Sequence, residues 1–515
     1  MSYYSIAKIV KEHWGSSVSF TGDQSFLDAS NLVERAVKRS RLALVYGPPG
    51  TGKTTVYHHV MHKTLDNLGS DEILTYVCPT NALVADMLER IVATYSSQGK
   101  SKEDLIREVK VYGSKFNYEE RFKTLRDCVT EDTRIILTTE FQKISLAPTF
   151  LKRASFHIMV DEASKSPTHT PFITFATQLL ENPEDLSPLG SFSVIGDPNQ
   201  AIAIGDEYAG RKDLLLLPRL TAGLLNKEAS IPANYTDMSA MIDGAYRHLK
   251  GKYFSMLELS HRLPSPTEKP ISEGFYNGHL RAADESKVRL QGLWDKNLAA
   301  RVKQQDETFK KMVNILEEGI TTGRAIIYIE TTQKSYRGYR YLDFDENRAE
   351  IGLYAASALA YICKKPTTVL TTYTDQEQQM KMLFRRDLAA FMGKYANLVR
   401  FSTVPRMLGS QSDIVVAVLG KEYISHHSHE RTIYFREPET LNVQLSRHYR
   451  ALVIVGNLQR LIKTVNRVHS AEGTTYFSNL KTTATKIYEL AGYEVTSSRI
   501  SRVADGDAAV YRKWS

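Results

Sequence analysis

Residues 47–54, GPPGTGKT, have the composition of a loop that binds a nucleoside triphosphate. They follow a short apolar run, LALVY at 42–46, and precede a helical pattern. Glycines let such a loop bend around an anion, so that backbone N–H groups and the positive end of the helix face the phosphates. Lys53 can then reach the β- and γ-phosphate oxygens, and the Thr54 hydroxyl can ligate Mg²⁺. The predicted nucleotide contacts here are Gly47, Pro48, Pro49, Gly50, Thr51, Gly52, Lys53, Thr54 and Thr55.

Two further apolar runs end in residues suited to phosphate chemistry. Phe156–Val160 leads into DEAS, and Phe192–Ile195 leads into GDPNQ. Asp161 can hold Mg²⁺, while Glu162 can orient and deprotonate the attacking water. Gln200 is placed where it can sense the γ-phosphate. Either segment alone is also typical of an exposed turn, but their order after the phosphate loop favours a catalytic role with Lys53.

Hydroxyl and amide side chains follow two more apolar runs. Ile73–Cys78 precedes Pro79, Thr80 and Asn81, and Arg134–Leu137 precedes Thr138 and Thr139. In doubly wound sheets ligands bind beyond the carboxyl ends of the strands, so these side chains are placed to hold a ligand's backbone phosphates. Thr80 or Asn81 would serve equally well as a helix N-cap, and both roles can hold together.

Alternating apolar runs and helical patterns must position these groups, and they predict parallel α/β sheets. A second series of the same kind follows in the latter half of the chain and has no phosphate loop. Its predicted strands are Ala325–Ile329, Thr367–Leu370, Ile414–Leu419 and Leu452–Val455, with a helix over Glu350–Cys363. A phosphate loop in only the first of the two series fits two lobes that share one nucleotide.

Composition limits the class of protein. The chain has 515 residues, a net charge of +8 and a pI near 9.0, which suits a polyanionic partner without requiring one. Cys78, Cys128 and Cys363 are too scattered for a disulfide framework or a zinc site, so we expect a reducing compartment. Neither a signal-peptide core nor an uninterrupted apolar stretch of membrane length occurs. We therefore expect an intracellular, cytoplasmic protein without membrane contact, with the nucleus left open.

Four segments together resemble a known family. GPPGTGKTT, CPTN, VDEAS and GDPNQ, in this order, resemble motifs I, Ia, II and III of superfamily 1 helicases, specifically the type B branch that includes the nonsense-mediated-decay helicase. In the second half, SHRL followed by FYNG at 275–278 is similar to another family motif, with Arg262 at its arginine position. His261 stands where the family usually has a base-stacking tyrosine. LNVQLSR at 441–447 resembles motif VI, and the resemblance makes Arg262 and Arg447 candidate arginine fingers.

Other matches are less complete. Tyr373 and Gln376 resemble the family's tyrosine-x-x-glutamine motif. Residues 403–413 match motif V in part, with Pro405, Leu408 and Gln411 at the usual aspartate, glutamine and glutamate positions. The resemblance implies nucleotide contacts from His261, Gly409 and Gln411, and nucleic-acid contacts from Tyr373 and Thr403. Gln24, 23 residues before Gly47, either reads an adenine edge or is a surface glutamine.

The predicted fold class is α/β, with two tandem RecA-like P-loop lobes, parallel sheets and helical insertions. The predicted domains are an N-terminal preface (1–29), a lobe with the P-loop (30–255), a second lobe with a helical insertion at about 281–323 (256–480) and a C-terminal tail (481–515). The insertion is an amphipathic surface helix or a contact to substrate or to a protein partner, and the tail with Arg499, Arg502, Arg512 and Lys513 has no assigned role.

The leading functional hypothesis is an ATP-dependent helicase or translocase on single-stranded DNA or RNA, with ATP and Mg²⁺ as cofactors and ATP hydrolysed between the lobes. The resemblance implies 5′ to 3′ movement. The alternative is a P-loop remodelling ATPase or switch that acts on a protein or nucleoprotein partner with little unwinding. The altered motif V and the short N-terminal region keep this alternative open.

Overall fold

The structure is a computed structural model, and it describes most of the chain. The described ranges are 3–20, 22–39, 41–140, 142, 155–173, 189–200, 211–235, 237–283, 291–321, 326–331, 346–407, 410–420, 434, 437–472, 478–490, 493–495, 500–502 and 510–511. The chain divides into two compact units, Met1–Glu258 and Leu259–Ser515. The sequence analysis placed the change of lobe after residue 255.

The first unit is built on a parallel sheet. Its strands are β1 (Tyr4–Ser5), β2 (Leu42–Tyr46), β3 (Glu72–Cys78), β4 (Val109–Tyr112), β5 (Phe116–Asn117), β6 (Ile135–Thr139), β7 (Ser155–Val160), β8 (Leu189–Gly196) and β9 (Phe254–Met256). Its helices are α1 (Ile6–His13), α2 (Gln24–Arg39), α3 (Lys53–Thr64), α4 (Asn81–Ser97), α5 (Lys102–Glu108), α6 (Thr170–Ile173), α7 (Leu216–Ala229) and α8 (Met238–His248). Seven of the described strands form one sheet in the order β4-β6-β3-β7-β8-β2-β9, and every pairing is parallel.

Most residues in the strands of this sheet are buried, as expected for a parallel sheet that is covered on both faces. β2 has the predicted bounds, and Ala43, Leu44 and Val45 have no exposed surface. β8 begins three residues before its predicted start, because Leu189 and Ser191 also pair with β7, with a shift in register between them. The predicted parallel α/β class is confirmed.

The N-terminal residues predicted as a helical preface belong to the first unit's core. Ile6, Ile9 and Val10 of α1 are buried in the same apolar cluster as Leu88 of α4. β1 pairs with β5 through Tyr4 and Ser5, which fixes α1 beside the sheet.

The second unit contains another parallel sheet. Its strands are β10 (Leu259–Ser260), β11 (Arg281–Ala282), β12 (Ile326–Glu330), β13 (Thr367–Thr371), β14 (Val399–Thr403), β15 (Ser412–Val418), β16 (His448–Gly456), β17 (Tyr493–Val495), β18 (Ile500–Arg502) and β19 (Val510–Tyr511). Its helices are α9 (Lys269–Phe275), α10 (Lys296–Lys303), α11 (Glu307–Thr321), α12 (Glu346–Cys363), α13 (Thr374–Leu383), α14 (Ala389–Met392), α15 (Glu439–Leu445), α16 (Leu458–Glu472) and α17 (Ser478–Leu490), with a π-helical turn at Phe384–Leu388 between α13 and α14. Among the described residues the main sheet has the order β14-β13-β15-β16-β12-β19, again parallel.

The segment predicted as a helical insertion packs on this sheet. Phe309, Met312 and Leu316 on one face of α11 are buried in the same cluster as Ile327 of β12. The amphipathic pattern therefore reflects a helix that covers the second unit's core. Residues 284–290 and 322–323 of the predicted insertion lie outside the described residues.

The start of the predicted C-terminal tail closes the second unit. α17 packs against α9, and a Cβ on Gly274 would lie 2.1 Å from Thr483 Oγ1. Arg502 lies in β18, while Arg499, Arg512 and Lys513 lie outside the described residues. No helix within the described ranges combines the length and the apolarity needed to cross a membrane.

Candidate nucleotide-binding and catalytic site

The loop between β2 and α3 has the backbone of a phosphate cradle. Gly50 and Gly52 have φ angles of +74° and +86°, which residues with a Cβ rarely adopt, and Gly52 is the N-cap of α3. Lys53 Nζ donates a 2.9 Å hydrogen bond to Gly47 O, so the side chain folds back over the loop. A Cβ on Gly47 would lie 2.3 Å from Lys53 Cγ, so only glycine fits under this lysine.

Other predicted loop residues have structural partners. Thr51 is buried and its hydroxyl donates to Pro48 O at 2.8 Å, which closes the turn. Thr55 Oγ1 accepts a 3.5 Å hydrogen bond from Arg90. Pro49 is buried. Gln24, at the start of α2, is exposed and donates to Asp28 Oδ1 at 2.7 Å.

Asp161 receives two hydroxyl groups on one carboxylate oxygen. Thr54 Oγ1 donates to Asp161 Oδ2 at 2.7 Å, and Tyr76 Oη donates to the same oxygen at 2.8 Å. The other oxygen accepts the backbone N–H of Glu162 at 2.8 Å. β7, which ends at Val160, lies between β3 and β8, so the sheet order brings all of these groups to one edge.

Burial raises the pKa of Asp161 above its usual range, and the charge of Glu162 adds to this. The hydrogen bonds from Thr54 and Tyr76 act in the opposite direction. A hydroxyl and a carboxylate oxygen in contact are the hard oxygen ligands that Mg²⁺ takes beside substrate phosphates, and a bound cation would favour the ionised carboxylate. Thr54 and Asp161 therefore fit the predicted metal role.

Glu162 is held in an unusual backbone conformation beside a buried lysine. Its φ is +54°, in the left-handed region that is strained for a residue with a Cβ. Lys165 Nζ lies 2.7 Å from Glu162 Oε2, and the two side chains are only 4% and 11% exposed. The ion pair with Lys165 fixes the position of the Glu162 carboxylate.

The segment after β8 orients Gln200. Gln200 Nε2 donates to Asp197 Oδ2 at 2.7 Å, and Asn199 N donates to Asp197 Oδ1 at 3.0 Å. Asp197 N in turn donates to Ser164 Oγ at 3.2 Å, which ties this loop to the DEAS segment. All three side chains are buried, so Gln200 is positioned by a hydrogen-bonded turn rather than by solvent-exposed contacts.

The predicted nucleic-acid residues of the first unit lie on the other half of the same sheet edge. Thr80 is exposed and is the N-cap of α4, with Oγ1 accepting from Leu83 N at 3.4 Å. Asn81 Oδ1 accepts from Lys115 N at 3.2 Å, and Pro79 is partly exposed. Cys78 of β3 is in register with Thr139 of β6, so these residues are neighbours.

Thr138 and Thr139 differ from Thr80 in exposure. Thr138 has no exposed surface, and its hydroxyl donates to Thr139 O at 3.0 Å, while Thr139 is 7% exposed. In this conformation Pro79, Thr80 and Asn81 are the accessible members of the set predicted for the first unit.

In the second unit the structure brings together residues of three predicted motifs. Arg262 Nε donates to Gln411 Oε1 at 2.9 Å, and Arg262 Nη1 donates to Ser446 O at 3.2 Å. Ser446 immediately precedes Arg447, which is 2% exposed and donates from Nε to Val443 O at 3.3 Å. His261 is exposed beside Arg262. The two candidate arginine fingers are thus held by one local framework.

The remaining predicted residues lie at the carboxyl ends of β13 and β14. Thr403 is in register with Thr371 and is 4% exposed. Tyr373 is partly exposed and is the N-cap residue of α13, and Gln376 is buried in that helix. Gly409 lies outside the described residues.

Three residues that the sequence analysis did not select also belong to this region. Tyr76 and Lys165 contact Asp161 and Glu162 as described above. Glu140 is buried at the end of β6, where it accepts hydrogen bonds from the hydroxyls of Ser166 and Thr170. Burial raises the pKa of Glu140, and the two hydroxyls oppose that change. In the sequence, the feature that pointed to Glu140 was its position after a Thr-Thr pair at the end of a predicted strand.

Comparisons with known proteins agree with this arrangement. Two family models, each described as an AAA domain, match residues 27–126 and residues 242–459, which together make up well over half of the chain. They contain the phosphate loop in the first unit and both candidate arginine fingers in the second. No curated protein matches the chain.

Two solved structures illustrate the more distant likenesses. Arterivirus nonstructural protein 10 (helicase), in a complex with DNA, is 13% identical over 85% of this chain and 65% of its own, with a TM-score of 0.37. The chain thus spans less than two thirds of that protein. T4 UvsW is 11% identical over 87% of this chain and 72% of its own, with a TM-score of 0.26. Both TM-scores are below 0.5, so these likenesses add nothing to the assignment of function.

Proposed function

Because this chain belongs to the superfamily 1 helicases, we propose that it is an ATP-dependent helicase or translocase that acts on single-stranded nucleic acid. The observation that supports this function best is the cluster of Thr54, Asp161 and Glu162 at the carboxyl edge of the first unit's sheet. It joins a phosphate loop, a metal-binding pair and a candidate general base within one set of hydrogen bonds.

The P-loop binds the triphosphate through its backbone N–H groups and the N-terminus of α3. Lys53 exchanges its hydrogen bond to Gly47 O for phosphate oxygens, while Thr54 and Asp161 are the residues that would hold Mg²⁺. When bound there, the ion would supply charge neutralisation for the transferring phosphoryl group. Tyr76 keeps Asp161 in place by donating to the oxygen that also contacts Thr54.

Glu162 orients the attacking water and accepts its proton. Lys165 fixes the position of this carboxylate through the buried ion pair. Gln200, held by Asp197, senses the γ-phosphate and transmits its presence through Ser164 to the segment that carries Glu162.

The second unit supplies Arg262 and Arg447 to the same phosphates when the two lobes close. The hydrogen bonds of Arg262 to Gln411 and to Ser446 O support this assignment, because Ser446 directly precedes Arg447. A guanidinium delivered in this way accelerates phosphoryl transfer by about 10³ to 10⁵ and couples hydrolysis to lobe closure. Closure and opening then move a bound strand, with the backbone gripped alternately by Thr80 and Asn81 and by Tyr373 and Thr403.

A switch or remodelling ATPase with little unwinding is the second candidate. The burial of Thr138, Thr139 and Thr403 favours it, since these hydroxyls are not free to grip a strand in this conformation. Under this alternative the same closure changes a protein or nucleoprotein partner. The exposed face of α11 and the C-terminal residues are the surfaces proposed for that contact.

ATPase assays with matched single-stranded DNA and RNA separate the two candidates and identify the nucleic acid. The helicase proposal predicts stimulation by at least one of them and displacement of a labelled strand from duplexes with a 5′ overhang. Duplexes with a 3′ overhang test the proposed direction. If no single strand stimulates turnover while a Glu162→Gln control abolishes the basal rate, the protein is an ATPase but the helicase proposal fails.

A further inference from the structure

The first unit carries a basic cavity at the edge of the sheet opposite the phosphate loop. Its volume is about 400 Å³. Five cationic side chains line it, namely Arg35 and Arg39 of α2, Arg41, Lys250 and Lys252. All five residues are exposed, and the side chains of Leu32, Ala36 and Leu42 form apolar wall between them.

The position of the cavity follows from the strands beside it. Arg41 directly precedes β2, and Lys250 and Lys252 precede β9, the neighbour of β2 at the sheet edge. The cavity therefore lies at the amino ends of these strands, while the P-loop follows the carboxyl end of β2. Five residues of strand separate the two sites by roughly 16 Å.

The charges of this cavity are only partly balanced. Lys252 pairs with Glu228 at 2.5 Å, and Lys250 donates to the Tyr246 hydroxyl, which in turn donates to Glu258. Within the described part of the chain, Arg35, Arg39 and Arg41 have no carboxylate partner. Three guanidinium groups thus remain without a neutralising charge.

The three arginines exceed what the fold requires at this place. Cations at the end of α2 stabilise its carbonyl groups, but a helix C-terminus carries only about half a negative charge. One cation in its last turn, such as Arg39, already satisfies that need, so the three arginines together carry more positive charge than the helix end requires. Arg35 donates to Gly251 O at 3.2 Å and to Asn31 O at 3.3 Å, which fixes its guanidinium at the cavity without cancelling its charge.

We propose that this cavity binds the phosphodiester backbone of a nucleic-acid strand, as a contact separate from the strand grips at the carboxyl edge of the sheet. Arginine presents a planar set of donors that matches phosphate oxygens in a bidentate manner. Arg35 and Arg39 are four residues apart on one helix face, so they contact a strand together with Arg41. This contact rests on the proposed function, but binding of a strand at the cavity requires no ATP hydrolysis.

The test measures binding of labelled single-stranded DNA and RNA by fluorescence anisotropy over a range of salt concentrations. The variant is Arg39→Gln/Arg41→Gln, because neither side chain makes a structural hydrogen bond within the described residues. Lys8→Gln/Lys11→Gln on α1 removes the same charge from exposed positions elsewhere on the unit. Basal ATPase activity and thermal unfolding of both variants report on the integrity of the fold.

Loss of two phosphate contacts predicts an affinity about tenfold lower in moderate salt, and a log–log salt slope smaller by about 1.4. The control keeps the wild-type slope. The proposal would be overturned if the two variants bound nucleic acid with equal affinity and equal salt slope. It would also be overturned if Arg39→Gln/Arg41→Gln lost affinity only for an acidic peptide such as polyglutamate. If wild-type protein binds no nucleic acid, the proposed function fails as well. If nucleic acid stimulates the ATPase activity of the wild-type protein but Arg39→Gln/Arg41→Gln binds nucleic acid as wild type does, only the proposal of this second contact is wrong.

Discussion

Thr54 Oγ1 donates a 2.7 Å hydrogen bond to Asp161 Oδ2, although the two residues are 107 positions apart in the chain. The bond joins the first turn of α3 to the end of β7, so the phosphate loop and the acidic segment cannot move independently. If these two oxygens hold the proposed metal ion, the hydrogen bond keeps them close together before the ion binds.

This relationship predicts different outcomes for two substitutions of Thr54. Thr54→Ser keeps the hydroxyl, so we expect its Mg²⁺ dependence to stay close to that of wild type. Thr54→Ala removes a ligand and the hydrogen bond, and we expect the Mg²⁺ concentration for half-maximal ATPase activity to rise by roughly tenfold or more. Titration of Mg²⁺ at saturating ATP measures both. Identical curves for the two variants would mean that Thr54 does not contact the metal.

Glu162 provides the second prediction. Glu162→Gln keeps the shape of the side chain but cannot accept a proton, so turnover falls by about 10² to 10⁴ while ATP affinity is retained. Lys53→Ala serves as the contrasting variant, because it removes a phosphate ligand and abolishes hydrolysis. Binding of a fluorescent ATP analogue and steady-state ATPase rates separate these effects. A Glu162→Gln protein that still turns over would exclude this residue as the general base.

The buried ion pair between Glu162 and Lys165 gives a prediction about stability. Lys165→Met removes the cation that faces the buried carboxylate of Glu162, so we expect a loss of about 3 to 5 kcal/mol in the free energy of unfolding of the first unit. The double variant Glu162→Gln/Lys165→Met removes the charge as well and recovers part of that loss. Denaturant unfolding of the two single variants and the double variant completes a thermodynamic cycle. Additive effects would show that the pair is not coupled.

Arg447 gives a prediction that is specific to the second unit. Arg447→Ala should reduce the rate of hydrolysis by about 10³ or more, with little change in nucleotide affinity, if the guanidinium acts only on the transition state. Arg450→Ala is the matched control, since Arg450 lies in β16, which begins directly after Arg447, and pairs with Asp413 at 2.6 Å. A wild-type rate in Arg447→Ala would show that it is not a finger.

His58 on α3 predicts a dependence of stability on pH. Burial, with a smaller contribution from the charge of Arg90, lowers its pKa to about 3, and its ring contacts Thr94 Oγ1 at 2.8 Å. Below pH 6.5 the unfolded chain binds a proton that the folded protein does not, so stability falls as the pH falls. The loss is about 1.4 kcal/mol per pH unit, or about 2 kcal/mol between pH 6.5 and 5.

Denaturant unfolding at several pH values checks this prediction. His58→Gln keeps a polar group near Thr94 but does not titrate, so its stability should depend less steeply on pH. The pKa values of His59 and His62 are also lowered by burial, so some dependence remains in the variant. Equal pH profiles in both proteins would exclude His58 as a contributor.

The phosphate loop was predictable from the sequence because local chemistry determines it. An apolar run followed by glycines, Lys53 and Thr54 leaves few other conformations, and β2 has the predicted bounds. The same holds for Asp161 and Asp197, which directly follow buried strands.

Contacts between distant segments were not predictable. Nothing in the sequence around Tyr76 shows that its hydroxyl meets Asp161, because that contact depends on the pairing of β3 with β7. Lys165 resembles any surface lysine until the left-handed φ of Glu162 turns the segment back on itself. Gln411 lies within a partly matched motif, and its contact with Arg262 becomes visible only in the fold.

The two sheets can be completed at different stages of synthesis. The edge strand β9 ends at residue 256, so a nascent chain holds all described strands of the first sheet before the second unit is made. The second unit must wait for α17, which packs on Gly274 about 200 residues earlier in the chain, and for β19, which pairs with β12. We therefore expect the half with the phosphate loop to fold on the ribosome, while the half with the candidate arginine fingers acquires its native packing only after nearly the whole chain has been translated.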